Sequence, residues 1–427
     1  SGSITEAASG ASLFQNNCLH CHHGSVPKAP HAISFNMMST ASIVTAISEG
    51  VMRQQAAHLS QEERVQIARY LSESVDTASE EVKACDNDVM PVLAENDPGW
   101  SGWGGGIRNQ RFQDADSAGL GPDTVGELEL KWAFAYPGAT RARSQPLVHG
   151  NTVFVGSQKG TVYALDLTSG CAHWQYEAGA EVRNGITVAM LENQSAPVLF
   201  FGDFKARVHA VSARTGAALW KKSVGTHADA TITGSVKYHE QRLYVPISSS
   251  EWATAADPGY PCCTFRGSVA ALDANDGSLF WNSFVISTAP QETGETNPAG
   301  AKRMAPAGAP VWNSPTIDAE RGLLYVGTGE GYTSPAVTTS DAVVAMRLED
   351  GGIVWSQQLL AGDAWNMACF IGGGGNCPEE NGPDLDIGAA TILGGVMHVI
   401  CCSSGKKAVM STPSIPMLAG KPFGIKS

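Results

Sequence analysis

The chain has little charge for its length, and what it has is unbalanced. Charged residues make up 16% of 427, with 28 Lys and Arg against 41 Asp and Glu. The net charge of −13 argues against nucleic acid as a partner, because phosphates demand a basic surface. No apolar run reaches the roughly 18 to 20 residues that span a bilayer. The chain begins at Ser1 without a signal peptide, as a mature form or an expressed fragment would. Glycine, in contrast, is plentiful at 47 residues, which favours tight turns and short strands over long helices.

Ten cysteines are present. Cys18 and Cys21 form CxxCH with His22 in ASLFQNNCLHCHHG. Two thiols at that spacing can add to the two vinyl groups of a haem, and the following histidine then meets the iron. A zinc site would need a second Cys/His pair that His58 alone does not supply, and a redox CxxC would need a βαβ setting. Covalent haem c is therefore the expectation. The other cysteines are Cys262 beside Cys263, Cys401 beside Cys402, Cys369 and Cys377 around a glycine-rich loop, and the isolated Cys85 and Cys171. Cys369 and Cys377 are expected to staple their loop. Cys85 could tie down residues 76–98, a polar linker or strap, and adjacent Cys262 and Cys263 could form a ring or bond elsewhere. Haem attachment with disulfides points to an oxidising compartment, the periplasm.

Residues 1–75 read as one small helical domain. The stretch EGVMRQQAAHLSQEERVQIARYLSES resembles the back half of a class I cytochrome c, where a loop Met caps the iron. Met52 holds that place, with Met37 and Met38 as alternatives. Ser60 and Glu63 make a capping box for a last helix whose apolar face is Val65, Ile67, Ala68 and Leu71.

Beyond residue 99 one unit repeats four times. TVYALDLTSGCAHW, RVHAVSARTGAALW, SVAALDANDGSLFW and AVVAMRLEDGGIVW end at Trp174, Trp220, Trp281 and Trp355, each with Gly four residues before the Trp. A further strand precedes each unit, so each unit predicts a four-stranded antiparallel blade. The Trp spacing grows from 46 to 61 to 74, which implies long functional loops in the later blades. Residues 99–394 are thus expected to form an all-β propeller after the all-α cytochrome c domain.

VYALDxxTGxxxW resembles the pyrroloquinoline quinone (PQQ) repeat family, and GWSGWGGGIRNQRFQ resembles the start of that domain in quinoprotein alcohol dehydrogenases. With a haem domain in front, and with CCTFRGSVAALD and CFIGGGGNCPEENGPDLDIG inside, the chain is most similar to the polyvinyl-alcohol dehydrogenases. That resemblance implies an eight-bladed propeller, incomplete here. It also implies PQQ and calcium for oxidising secondary hydroxyls, and haem c to relay electrons to a soluble cytochrome or respiratory-chain acceptor. By position it implies Trp312 stacked under the quinone, and Glu330 and Glu251 as calcium carboxylates. Arg183, Thr233 and Arg266 would be polar contacts to the cofactor, and a Cys262–Cys263 ring would lie near it. Relatives end a DxWD motif with the base, but here it reads Asp363, Ala364, Trp365, Asn366. Asn takes no proton at neutral pH, so Asp363 is the expected base, with Asp384 or Asp386 as alternatives. Another alcohol or a sugar as substrate, or a non-catalytic propeller scaffold, are the competing readings.

From about Gly395 the repeat breaks. Read across codons, residues 408–426 can encode GHVYALDPDAGGKAVWHQ, nearly a blade signature. Residues 395–427 are therefore expected to be out of frame, and the polypeptide as written to bind quinone poorly and to aggregate. Sequencing the locus is expected to show a one-base slip before residue 408; an intact frame followed by a genuine stop would remove this reading.

Overall fold

The computed structural model describes residues 9–22, 35, 40–50, 52–72, 82–86, 90, 93–94, 97–137, 139, 141–370, 375–394, 400–402 and 409–411. Met37 and Met38 lie outside them, as does most of the stretch after residue 394; within it, 400–402 pairs antiparallel with 409–411.

Four helices form the first unit: α1 (Gly10–Asn17), α2 (Leu19–His22), α3 (Thr40–Ser48) and α4 (Gln61–Ser72). The capping box forms as the sequence predicts. The Ser60 N–H donates to Glu63 Oε2 at 2.8 Å and the Glu63 N–H to Ser60 Oγ at 3.2 Å. Ile67, Ala68 and Leu71 of α4 turn inward onto Leu13 and Phe14 of α1 and Ile43 of α3.

The next unit is a series of antiparallel sheets, one for each repeat. Blade 1 contains β1 (Gly99–Trp100), β2 (Leu147–His149), β3 (Thr152–Gly156), β4 (Thr161–Asp166) and β5 (Ala172–Glu177), in that order; the short α5 (Ala115–Ala118) lies between β1 and β2. Blade 2 runs β6 (Thr187–Ala189), β7 (Val198–Gly202), β8 (Arg207–Ser212) and β9 (Ala218–Ser223). Blade 3 contains β10 (Ala230–Thr231), β11 (Lys237–His239), β12 (Arg242–Ser249), β13 (Ser268–Asp273) and β14 (Leu279–Phe284), with the short α6 (Glu251–Thr254) after β12. A separate hairpin, β15 (Gln291–Thr296) and β16 (Lys302–Ala305), precedes blade 4, which is β17 (Thr316–Asp318), β18 (Leu323–Gly327), β19 (Ala342–Arg347) and β20 (Ile353–Gln358).

The middle strands are apolar on both faces because both faces are covered. Alternate residues of a strand point to opposite sides. Leu199 and Phe201 pack with Phe154 and Val162 of blade 1, whereas Phe200 packs with Leu243 and Val245 of blade 3. Tyr244 and Val269 of blade 3 meet Leu324 and Val344 of blade 4 in the same way. The strap expected around Cys85 is covalently fixed. Cys85 is bonded to Cys171, and residues 83–85 pair with the edge of β5 at Ala172.

The repeat signature has a direct packing meaning. Each Trp lies over the turn glycine of the next unit: Trp174 over Gly216, Trp220 over Gly277, Trp281 over Gly351. Its indole N–H donates to a carbonyl beside that turn, Ala213 at 3.0 Å, Ala274 at 3.1 Å and Leu348 at 3.3 Å. Trp132, which stands outside the four repeats, makes the same contact with Gly170 and Leu167. Trp355 Nε1 is buried without a hydrogen-bond partner among the described residues.

These glycines have left-handed φ and no room for a side chain. At Gly277 (φ +72°) a Cβ would stand 2.8 Å from a Trp220 ring carbon, whereas at Gly322 (φ +63°) it would meet nothing within 4 Å. Gly322→Ala is expected to cost only the left-handed penalty of about 1–2 kcal/mol. Gly277→Ala adds an overpacking cost of about 1–3 kcal/mol. Denaturant unfolding of the two variants checks the difference; equal midpoints would show that the Trp–Gly contact carries no weight.

Candidate active site

One line of hydrogen bonds ties the innermost segments of successive blades together. The Ser144 hydroxyl donates to Asn184 O at 2.7 Å, and Asn184 Nδ2 donates to Gly202 O and Ile232 O. The Thr233 hydroxyl donates to Trp312 O at 3.0 Å, and the Ser235 N–H donates to Ser314 Oγ at 2.8 Å. Asn313 Nδ2 then donates to Gly327 O and Ile387 O. Gly234 is required in this line, since a Cβ there would lie 2.3 Å from Asn313 O. Arg183, Thr233 and Trp312, scattered in sequence, are thereby set on neighbouring segments.

Trp312 is half-buried, and its indole N–H makes no hydrogen bond by distance and angle although it lies close enough to Asp386 to favour that carboxylate's charge. Beside it, carboxylates converge. Oxygens of Glu330, Asp384 and Asp386 all lie within 4.8 Å of one another. The Glu330 N–H donates to Asp386 Oδ1 at 2.8 Å. Burial pushes Glu330 far above the usual carboxylate range, and the charge of Asp386 adds to this. Asp384, at the open side of the group, is pushed up to about 7 by its surroundings first and then by Asp386 and Asp363.

Asp341 stands behind this group. It is fully buried, and neither carboxylate oxygen has a hydrogen-bond partner. Burial and then the charges of Asp386 and Asp363 push it up to about 9. Buried carboxylates without donors are expensive unless a cation joins them. The donor set is all oxygen, which suits a hard divalent ion such as calcium.

Asp363 is in contact with the same loop but differently employed. Its oxygens accept the backbone N–H groups of Asp384 at 3.3 Å and Leu385 at 3.0 Å, and Gly382 leaves no room beside it. It holds the GPDLDIG loop in place. Asn366 caps the short turn Met367–Cys369 and donates to Tyr332 O and Asn376 O.

Other sequence-expected residues are placed elsewhere. Glu251 does not join the carboxylate group. Its oxygens accept the Thr264 N–H at 2.7 Å, the Phe265 N–H at 2.8 Å and the Tyr260 hydroxyl at 2.8 Å, with His227 Nε2 at 3.4 Å. Those donors occupy the carboxylate, so Glu251 anchors the chain just after Cys262–Cys263 in place of the calcium contact expected for it. Cys262 and Cys263 are disulfide-bonded and buried in a cluster with Phe265, Ala307 and Tyr332. The Arg266 guanidinium donates to Ile286 O and Ser287 O and covers the Phe284 ring at 3.9 Å. Arg183 pairs with Glu181 at 2.5 Å and lies 4.2 Å over Phe204. Arg141 and Arg143 crowd the same place; burial, then Arg143 and Arg183, push Arg141 down to about 10. Three guanidiniums against one carboxylate leave capacity for an anion.

In the first unit, Cys18 and Cys21 are the free thiols among the described residues, while the Cys369–Cys377 staple is formed. Burial, and then Cys21, push the Cys18 thiol up. His22 is buried with its ring 5.1 Å from that of Phe35. Two thiols at the rim of an apolar core, with a buried imidazole next in sequence, fit a covalent haem. Met52 starts the turn after α3, its N–H donating to Ala46 O at 3.0 Å. Ala46 in turn packs against the buried cluster of Ala256, Trp365 and Met367 in the second unit. The two units are thereby joined beside Asp363.

Sequence reasoning missed Asp341, Arg141, Arg143 and Trp132. The TRARS pair was visible as charge, and Trp132 as KWAFAY; Asp341 carries no local signal.

A cytochrome-like helical unit followed by Trp-marked antiparallel blades that carry a group of buried carboxylates defines a quinohaemoprotein-type architecture. The glucose/ethanol/alcohol dehydrogenase β-propeller family matches residues 100–369, and the cbb3-type cytochrome c oxidase subunit III family matches residues 5–71. The chain belongs to the PQQ-type dehydrogenase β-propeller family. It is 36% identical over 404 residues to a polyvinylalcohol dehydrogenase of a Pseudomonas species, covering 90% of this chain and 62% of that protein. It is 33% identical over 405 residues to the polyvinylalcohol dehydrogenase of a Sphingopyxis species, covering 90% and 61%. The chain therefore spans about three-fifths of the length of these relatives. The crystal structure of quinohemoprotein alcohol dehydrogenase from Comamonas testosteroni shares the fold, with a TM-score of 0.52, 20% identity, and coverage of 73% of this chain and 47% of that one.

The folded-state values of Asp341 and Asp384 lie above the ordinary 3.8, so these groups favour the fold below about pH 4, and that stability is lost as pH rises through about 7 and about 9. Asp341→Asn, which tolerates the left-handed φ of 48°, is expected to raise the melting temperature of the cation-free protein at pH 8 and flatten its decline with pH. Calorimetry across that range checks this; an unchanged or lower melting temperature counts against the electrostatic account.

Proposed function

We propose that this chain is the haem and catalytic-site part of a periplasmic, PQQ- and haem c-dependent dehydrogenase that oxidises secondary alcohols, polyvinyl alcohol foremost. The convergence of Glu330, Asp384 and Asp386 next to Trp312 carries the reading. The names of the two relatives supply the substrate. The three disulfides among the described residues and the CxxCH supply the compartment.

When bound, the quinone supplies the two-electron oxidant, calcium the Lewis acid and the haem a one-electron relay. Trp312 provides the flat floor for the quinone, held through its carbonyl by Thr233. Arg183, with Arg141 and Arg143, answers the cofactor's carboxylates. Glu330 and Asp386 hold the cation. Asp384, the exposed member of the group, would take the hydroxyl proton on a carboxylate oxygen. The geometry favours it over Asp363, whose oxygens are engaged by backbone N–H groups. Cys18 and Cys21 would attach the haem, and His22 and Met52 would hold its iron. The packing of Ala46 against the Ala256, Trp365 and Met367 cluster brings the haem unit near the segment that carries Asp363, which supports a short internal relay. A soluble cytochrome or respiratory-chain component then accepts the electrons. A scaffold role accounts for neither the free thiol pair nor the uncompensated carboxylates.

The test is alcohol-dependent haem reduction by the full product of the locus, reconstituted with quinone and calcium. Asp384→Asn is expected to lower kcat about 10²-fold or more while quinone still quenches tryptophan fluorescence. Asp363→Asn is expected to act mainly on stability. Wild-type kcat in Asp384→Asn would refute the assignment.

A further inference from the structure

A groove of about 340 Å³ lies between the β15–β16 hairpin, residues 333–335 and residues 376–380, with Cys262 also in its lining. That volume is in the range of ligand sites. The hairpin is an addition to the blades, and β15 is exposed along its whole length.

The groove is built. Asn376 Nδ2 donates to Ala255 O, Asp257 O and Tyr260 O, each at 3.1 Å, and its Oδ1 accepts from Asn297 Nδ2 at 2.9 Å. Arg303 donates across to Gly375 O at 2.9 Å, tying the hairpin to the opposite loop. Ser334 Oγ donates to Glu380 Oε2 at 2.5 Å, and Glu380 Oε1 accepts the Ala336 N–H at 2.9 Å. Hairpin and loops are therefore pre-set around an open channel.

Its position and chemistry specify an occupant. Thr333 in one wall follows Glu330 by three residues, and Glu380 in the other precedes Asp384 by four. Both walls are therefore continuous in sequence with the segments that carry the carboxylate group. Glu295, Glu379 and Glu380 against Arg303 leave the groove acidic, which disfavours anions. The Thr293 and Thr333 side chains share its walls with Met304, Pro335 and Pro378, a surface that suits an apolar backbone carrying neutral hydroxyls.

We propose that this groove is a binding subsite for an extended, neutral, polyhydroxylated carbon chain whose hydroxyls are oxidised at the carboxylate group. This rests on the reading of that group as an alcohol-oxidising centre.

The test is gel retardation of the full chain by polyvinyl alcohol cast in a native gel, which needs no cofactor, with dextran gels as control. Thr293→Trp fills the groove from the exposed hairpin and Glu379→Trp fills it from the far wall; Gln291→Trp alters the hairpin outside the groove. Either filling variant, shown folded by circular dichroism, is expected to weaken retardation by polyvinyl alcohol about tenfold, and Gln291→Trp to leave it unchanged. In reconstituted protein the same variants raise KM for the polymer and leave kcat/KM for a small secondary alcohol intact. No retardation of the wild type, retardation unchanged in both folded filling variants, retardation by dextran instead, or equal loss on small and polymeric alcohols would each overturn the proposal. Groove-dependent retardation with no oxidation of any secondary alcohol would uphold the subsite and overturn the catalytic reading alone.

Discussion

The contact between a blade's tryptophan and the next blade's turn glycine is what the second unit depends on. It fixes two things at once. The ring fills the space that only glycine leaves free, and the indole N–H satisfies a carbonyl at the same turn. Spacing between blades follows from the ring and register from the hydrogen bond. The inner line of hydrogen bonds from Ser144 to Ile387 can then close at its observed distances, and Trp312 and its carboxylate neighbours take their places as a result.

The site is held by two kinds of carboxylate. Glu251 and Asp363 have their oxygens filled by backbone donors and act as internal struts, each setting the course of a loop. Glu330, Asp341, Asp384 and Asp386 have few donors and repel one another. The first kind makes the second possible. The loop carrying Asp384 and Asp386 is brought against Glu330 because Asp363 grips its backbone. Rigid supports thus hold a local arrangement that is unfavourable without a cation.

The blades were legible because strand alternation, turn glycine and Trp recur at fixed offsets, and recurrence survives variation in loop length. The helical unit was legible through CxxCH and the Ser60–Glu63 box, both local patterns. Trp312, Glu330 and Glu251 were pointed to by resemblance; the structure sets Trp312 and Glu330 each near Asp386, and Glu251 against backbone N–H groups. A carboxylate that clamps backbone N–H groups and one that holds a metal look alike in sequence. Asp363 was ranked ahead of Asp384 without access to what separates them, which is whose oxygens are already engaged. Asp341 was invisible, since its burial is made by segments distant in the chain.

Every indole contact runs the same way, from one unit to the turn of the unit that follows it in the chain. The array therefore has a polarity. During synthesis the ring is in place before the turn that will cover it has left the ribosome. Each emerging turn meets a tryptophan that has already been made. Such an arrangement suits vectorial, one-blade-at-a-time folding, and it shortens the time any long apolar strand spends uncovered.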